Sequence, residues 1–533
     1  MRVIIRTALG AAAFVCCLAL AGPAAANNFC VPTYSADCPA SGTNEAEPDL
    51  NAALSAYGSD GNPDRVIIAP GTQTSTGSFK APGNDPLEII GSGRDKTFLT
   101  SSATGNTYVL DLTSGSNRAV TVKNLAVVVP ASFSTGAAIS ESADRFESVD
   151  LISRNDGSSG VFNPTGGSSF SDVRAFGQNG AGFGGVFYQQ SQCGTGPVSF
   201  ERIHITDASS GLIWNCPEAN PVTVDRARFT GVGAAISVSD GALVSVTNTL
   251  VESGEGAPIR AFSATNKVTT LNLDHLTMVA TGDPNQPAIR AQVNGVASPT
   301  KDIEISIGNS IISGFADSWS LEAPVDSVKG NVSLDASFLA SDSDGLTAGE
   351  SFVTGANNLA LGGEAIFAAA DDFHLATGSV VIDAGDPAAT LPDHDLDGEP
   401  RPVDGNADLV PVGDLGAYEY QPTCEEDPTF CPVDATAPRI SKVSFASRPG
   451  RGSSLRLKIS EAATVKAVFT PLSKRGRPKR GKVKLSRKAR AGSLTIKLGK
   501  RKLKPGRYRL TLQAADKAGN KSKMITRKVR VKG

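Results

Sequence analysis

Leu125-Ala126-Val127, Val149-Asp150-Leu151 and Val173-Arg174-Ala175 begin 24 residues apart. Ile203-His204-Ile205 follows after a step of 30, and Ala227-Arg228-Phe229 after another 24. Each burst places apolar residues two apart, the period of a strand, and turn-forming residues follow it. Leu250-Val251, Leu276-Thr277-Met278, Ile311-Ile312 and Ser337-Phe338-Leu339 continue the rhythm less strictly. A recurring interval of this size marks a repeat architecture.

One rung of this length, with two or three short strands, fits a right-handed parallel β-helix. A leucine-rich repeat needs a Leu lattice that is missing, and a propeller needs four strands per ~40–45 residues. An all-β sandwich is the competing architecture. Asn124, Asp172, Asp225, Asp274, Asn309 and Asp335 stand one or two residues ahead of the bursts, where short polar side chains suit a tight turn. The fold class expected is therefore all-β, a right-handed parallel β-helix followed by a small Ig-like β-sandwich.

The ends of the chain divide it further. Residues 1–26 read as a signal peptide: Arg2 and Arg6, an apolar run from Ala8 to Leu20, then Ala24-Ala25-Ala26. That run is too short for the ~30 Å hydrocarbon core, so no transmembrane segment is expected. Residues 27–64 form a capping segment with one amphipathic helix over Glu45–Tyr57, where Leu50, Ala53, Leu54 and Tyr57 share a face. The β-helix spans 65–423, a linker 424–437 and the sandwich 438–533. Six cysteines remain after the signal, in three local pairs: Cys30 with Cys38, Cys193 with Cys216, and Cys424 with Cys431. An even number in an exported chain favours disulfides, and the localisation expected is secreted, at or near a cell surface.

The densest motif lies in residues 371–420. It reads Asp371-Asp372-Phe373-His374-Leu375, Ile382-Asp383-Ala384-Gly385-Asp386, Asp395-Leu396-Asp397-Gly398, Arg401-Pro402 and Asp414-Leu415-Gly416-Ala417-Tyr418-Glu419. This resembles the closing segment of bacterial exported right-handed β-helix proteins of the choice-of-anchor type, departing from it at Val380-Val381. The resemblance implies the β-helix fold and an extracellular life, and no particular reaction. Within it, Asp393, Asp395 and Asp397 alternate ahead of Gly398, with Asp404 further on. Alternate carboxylates at a Gly turn can supply calcium oxygens; Ca²⁺ is the one cofactor expected. Pro400 and Pro402 forbid an EF-hand helix. A solvated acidic turn is the other reading, and His374 reads as structural.

Stacking turns the period into columns spaced ~4.8 Å apart. The middle residue of each burst points outward, giving Ala126, Asp150, Arg174, His204 and Arg228. Two residues earlier come Asn124, Ser148, Asp172, Arg202 and Arg226. Together Asp150, Asp172, Arg174, Arg202, His204, Arg226 and Arg228 form one candidate patch for substrate. Arginine there can hold the carboxylates of an acidic polysaccharide. Crowded guanidinium groups can also depress a base such as His204, the chemistry of a uronide lyase like the pectate lyases this fold resembles. A ladder of solvated ion pairs is the competing reading. The step of 30 inserts a loop near Phe183, Phe187, Tyr188 and Trp214, whose rings serve either as a ligand wall or as core.

Other enzyme signatures are missing. Asn272-Leu273-Asp274 matches only the first of the polygalacturonase motifs. No phosphate loop, Gly-x-Ser-x-Gly or His-Glu-x-x-His occurs.

A neutral total hides a charge split. Residues 27–433 carry 18 Lys+Arg against 50 Asp+Glu, and residues 434–533 carry 31 against 3. The basic module shows seven alternating strands, with apolar residues inward and cations outward. Ala514-Ala515-Asp516-Lys517-Ala518-Gly519-Asn520 resembles the last hairpin of bacterial Ig-like modules. Lys474, Arg475, Arg477, Lys479 and Arg480 form a loop suited to an anionic envelope polymer. Nucleic acid is disfavoured because Tyr508, Phe445 and Phe469 are the module's only aromatics. The function expected is binding of extracellular, acidic polysaccharide; a lyase or glycoside hydrolase and an adhesin are the alternatives.

Overall fold

The computed structural model describes residues 27–532 apart from 59–60, 106, 114–117, 133–134, 141–142, 190–192, 218–219, 265–266, 284, 294–301, 323–331, 343–352, 407, 424–435, 450–451, 500–502 and 518. The expected signal peptide lies outside the described residues. The chain divides into two units at Gln421/Pro422.

The first unit is a parallel β-solenoid. Among the described residues its coils pair strand on strand in a 19-stranded sheet and a 10-stranded sheet. The 24-residue period sets the register: Val149 faces both Leu125 and Val173, and Asp150 faces Ala126 and Arg174. Long strands of the larger sheet, such as Val120–Val129, Arg145–Ser153 and Ser169–Gly177, bend at one residue each. The bends sit at Asn124, Ser148 and Asp172, all with φ between 54° and 57°. Arg202, Arg226, Asn248, His275, Asn309, Phe338 and Asn357 continue this left-handed column.

The expected polar turn residues thus hold at Asn124, Asp172 and Asn309. At the other coils the bend falls on Arg226, His275 and Phe338 instead of Asp225, Asp274 and Asp335. Asn, Asp and His adopt this conformation more readily than most; Arg and Phe do not, so neighbouring coils hold Arg226 and Phe338 there.

The interior is apolar and aromatic in its middle. Phe170 stacks on Phe146 and Phe200 at 5.3 and 4.9 Å between ring centroids, and Phe187 tilts against Phe170 and Phe200. Phe183, Phe187 and Trp214 are buried, so three of the four expected ligand-wall rings are core. The fourth, Tyr188, extends an outer stack with Phe162 and Tyr108.

Two of the three expected disulfides form among the described residues, joining Cys30 to Cys38 and Cys193 to Cys216. The third expected pair differs from these: Cys424 and Cys431 both fall within 424–435, outside the described residues. The disulfide expected between Cys424 and Cys431 is therefore not among those the structure shows.

The N-terminal end departs from expectation in detail. Asn44–Ala46 is a strand beside Asn28–Cys30, and the helix covers only Leu50–Ala56. Pro48 ends the extended stretch, and Asp49 caps the helix by accepting the Ala52 N–H at 2.9 Å. Leu50, Ala53 and Leu54 pack into the core as the pattern predicts. Asn44–Ala46 is the edge of the sheet, and Asn28–Val31 pairs in parallel on its other side with Asp64–Ile68.

The second unit is a small antiparallel β-sandwich. Ile440–Arg448, Gly452–Ile459 and Gly492–Leu498 form one sheet. Val483–Ala489, Ala463–Pro471, Gly506–Ala515 and Ile525–Val531 form the other. Leu455, Leu457, Val465, Phe469, Leu510 and Leu512 are buried between them.

Candidate functional site

The outward column is continuous in space. Asp150 pairs with Arg174, Arg174 with His204, His204 with Arg228, and Arg228 with Leu250. Beyond Leu250 the column turns apolar or small: Thr277, Ile311 and Ala340. That change marks where the sheet is covered.

The cover is the closing segment, residues 361–420, folded back on the outer face of the sheet. Leu361, Ile366, Leu375, Val381, Ile382 and Leu415 pack on Ile311 and Ala340. Phe373, Leu396, Ala417 and Tyr418 pack around Leu250. The acidic motif residues fasten this layer through main-chain amides. Asp395 accepts the N–H groups of Asp397, Glu399 and Glu419 at 2.9–3.0 Å. Asp383 accepts those of Gly405 and Asn406, and Asp404 those of Asp408 and Leu409.

Arg401 lies fully buried, 2.9 Å from Glu419 Oε2, and donates to Asn248 Oδ1 and Gly416 O. Burial raises the pKa of Asp414 well above the usual carboxylate range and raises Glu419 against the pull of Arg401. Gly416 sits at φ 94°, and a Cβ there would come within 2.6 Å of Thr277 Oγ1. The motif that most suggested a family is thus a device for docking a cover.

The carboxylates proposed for calcium are placed differently from a cation cage. Asp395 is buried and spent on amides, and Asp404 caps its own turn. Asp397 meets Arg228 and His374, and Asp393 meets His394. Among the described residues no three His, Cys, Asp or Glu side chains group as a metal site.

The two expected columns do come together, as a ladder of ion pairs. Arg174 is bidentate on Asp150, through Nε at 2.8 Å and Nη2 at 2.5 Å. That contact raises the Arg174 pKa against partial burial. Arg94, a residue the sequence did not single out, binds both Asp150 and Asp172 and so joins the columns. Arg202 pairs with Glu201, and Arg226 with Glu201 and Asp225. Despite desolvation, bonds from Asn248, His394 and Thr247 keep the Asp225 carboxyl below its ordinary pKa.

The closing segment supplies the wall at one end. Arg228 donates to Asp397 and lies over the Tyr418 ring, 5.5 Å from its centroid. His374 bridges Asp372 and Asp397. Burial would lower the His374 pKa, but these two carboxylates outweigh it and raise it.

His204 stands alone in this ladder, with no hydrogen-bond partner among the described residues. Desolvation, then the charges of Arg228 and Arg174, lower its pKa, so the imidazole is neutral at pH 7. The sequence found the floor of the site but not its walls: Arg94, Asp397 and Tyr418 belong to other parts of the chain, and Glu201 sits beside Arg202. The switch from charged to apolar outward residues at Leu250 was the available signal for a cover.

Lys474, Arg475, Arg477, Lys479 and Arg480 belong to the hairpin between Ala463–Pro471 and Val483–Ala489. Ser473 closes that turn, accepting the Gly476 and Arg477 N–H groups. All five cations are exposed. Among the described residues no helix is long and apolar enough to cross a membrane. Comparison with protein-family models and with curated proteins returns no match.

Proposed function

We propose that the outer strip from Asp150 to Arg228 is a carbohydrate-binding face of an exported protein. The observation that carries this is the fixed row of guanidinium edges. Arg94, Arg174 and Arg228 are each oriented by a carboxylate. Prealigned donors and acceptors suit sugar hydroxyls, because little side-chain freedom is lost on binding. Every arginine is charge-balanced, so hydroxyl contacts supply the main recognition. An acidic substituent would sit between Arg174 and Arg228, over His204. The two disulfides support an oxidising compartment. The three-plus-four strand division of the basic sandwich supports an Ig-like module.

A glycan array probed with residues 27–533 tests the reading. Binding lost in Arg174→Ala and Arg228→Ala, with unchanged folding, supports it; binding that ignores both variants ends it. A uronide lyase is the second reading, favoured by the neutral, unpartnered His204 beside two arginines. Its test is the ultraviolet absorbance of unsaturated uronide after incubation with acidic glycans.

A further inference from the structure

The basic sandwich carries more than its hairpin loop. In the four-stranded sheet, Val465, Ala467, Phe469, Leu510 and Leu512 point inward and are buried. The alternate residues therefore share the outer face. They include Lys466, Lys484, Lys488, Arg507, Arg509, Lys528, Arg530 and Lys532, all exposed. Register places Arg507 directly across from Arg530 and Arg509 across from Lys528. Like charges facing each other across paired strands are unfavourable. The described acids of this unit are Glu461 and Asp516, and no ion pair forms within it among the described residues. Asp516 is engaged with the Asn520 N–H. The sheet thus keeps an uncompensated cationic face at a cost to its own stability.

Side chains between these cations are Thr464, Val468, Thr470, Ser486, Thr511, Gln513 and Thr526. None can stack on a base, and none is a large apolar anchor of the kind that enters a lipid surface. On the last two strands cations recur at ~7 Å, twice the residue rise, and face each other across the pair at ~4.8 Å. Five of the eight are lysines, point charges on flexible stems, suited to binding by charge density.

We infer that this sheet face, not the 473–480 hairpin alone, is the docking surface for a linear anionic carbohydrate polymer. The inference rests on the expectation that the basic unit engages a polyanion, and it says where. Binding is driven by counterion release and falls steeply with salt.

Heparin binding of mature full chain, titrated from about 50 to 200 mM NaCl, tests it. One variant carries Arg507→Gln, Arg509→Gln, Lys528→Gln and Arg530→Gln. A second carries glutamine at Lys474, Arg475, Arg477, Lys479 and Arg480. The face variant is expected to bind at least tenfold more weakly and to flatten the log–log salt slope by about two or three. Circular dichroism confirms its fold. A face variant that binds like the parent, with all the loss in the loop variant, overturns the location. A parent that does not hold heparin at low salt overturns the polyanion reading itself. Tighter binding to single-stranded DNA or to phosphatidylserine vesicles than to heparin overturns the choice of partner.

Discussion

Nη2 of Arg228 donates to Oδ1 of Asp397 at 2.6 Å across 169 residues of sequence. The pair ties the last open rung of the outward column to the edge of the closing segment. Both groups are about one-third exposed, so the bond positions more than it stabilises. A double-mutant cycle with Arg228→Ala and Asp397→Ala is expected to show coupling of about 1 kcal/mol or less in urea melts. Either single variant is expected to lose glycan binding.

Arg401 is a different case. Replacing it with Ala leaves Glu419 buried without its cation, which costs roughly 3–5 kcal/mol. Because its contacts lie within the closing segment and at Asn248, the loss is expected first as local opening. Amide exchange should accelerate across 395–420 while the coils around Phe170 stay protected.

Asp144 gives the solenoid an acid-favouring stability term. Burial pushes its carboxyl up to about 7, against bonds from Ser140 and Val120. The folded state holds a proton that the unfolded chain releases near ~4. The stability from this group is complete below that pH and is lost as pH rises through about 7, at ~1.4 kcal/mol per unit. Asp144→Asn keeps the hydrogen bonds and is expected to flatten that limb of the pH–stability curve, read by urea midpoint.

His204 should titrate below the ordinary imidazole value. Its folded pKa is lowered, so protein stability falls as pH drops below ~6.5 and the unfolded chain takes up the proton first. Arg228→Gln removes one of the two neighbouring charges and is expected to move the His204 ring resonances to a higher titration midpoint. An unchanged midpoint would mean that the Arg228 charge does not contribute.

Reducing Cys193–Cys216 frees a loop of 23 residues. The chain-entropy estimate for such a loop is roughly 3 kcal/mol. Cys193→Ser with Cys216→Ser is expected to lower the urea midpoint accordingly while leaving the Phe146–Phe170–Phe200 stack intact by near-ultraviolet dichroism.

Much of this was legible from the interval of 24, because a fixed period places Asp150, Arg174, His204 and Arg228 in one column whatever the turns do. The seven strands of the sandwich were legible for a similar reason, since Leu455, Leu457 and Ile459 alternate with cations. Arg94, and the pairing of Asp397 with Arg228, escaped notice because nothing local links a turn or a terminal loop to a distant rung. The bends at Arg226 and Phe338 escaped because their side chains do not favour a left-handed backbone; adjacent coils impose it. The acidic turn at 393–404 looked like a cation loop because amide capping and metal binding both require short carboxylates close together.

The closing layer is keyed to particular coils: Asn248, Thr277 and Asn309 each bond to it. Gene duplication can therefore lengthen this protein only ahead of those coils. One added repeat between Val198 and Val222 would extend the open strip by a single outward position while both finished ends were inherited unchanged. Related chains of different length should accordingly differ in their middles, and their reach along a substrate should grow in steps of one strand spacing.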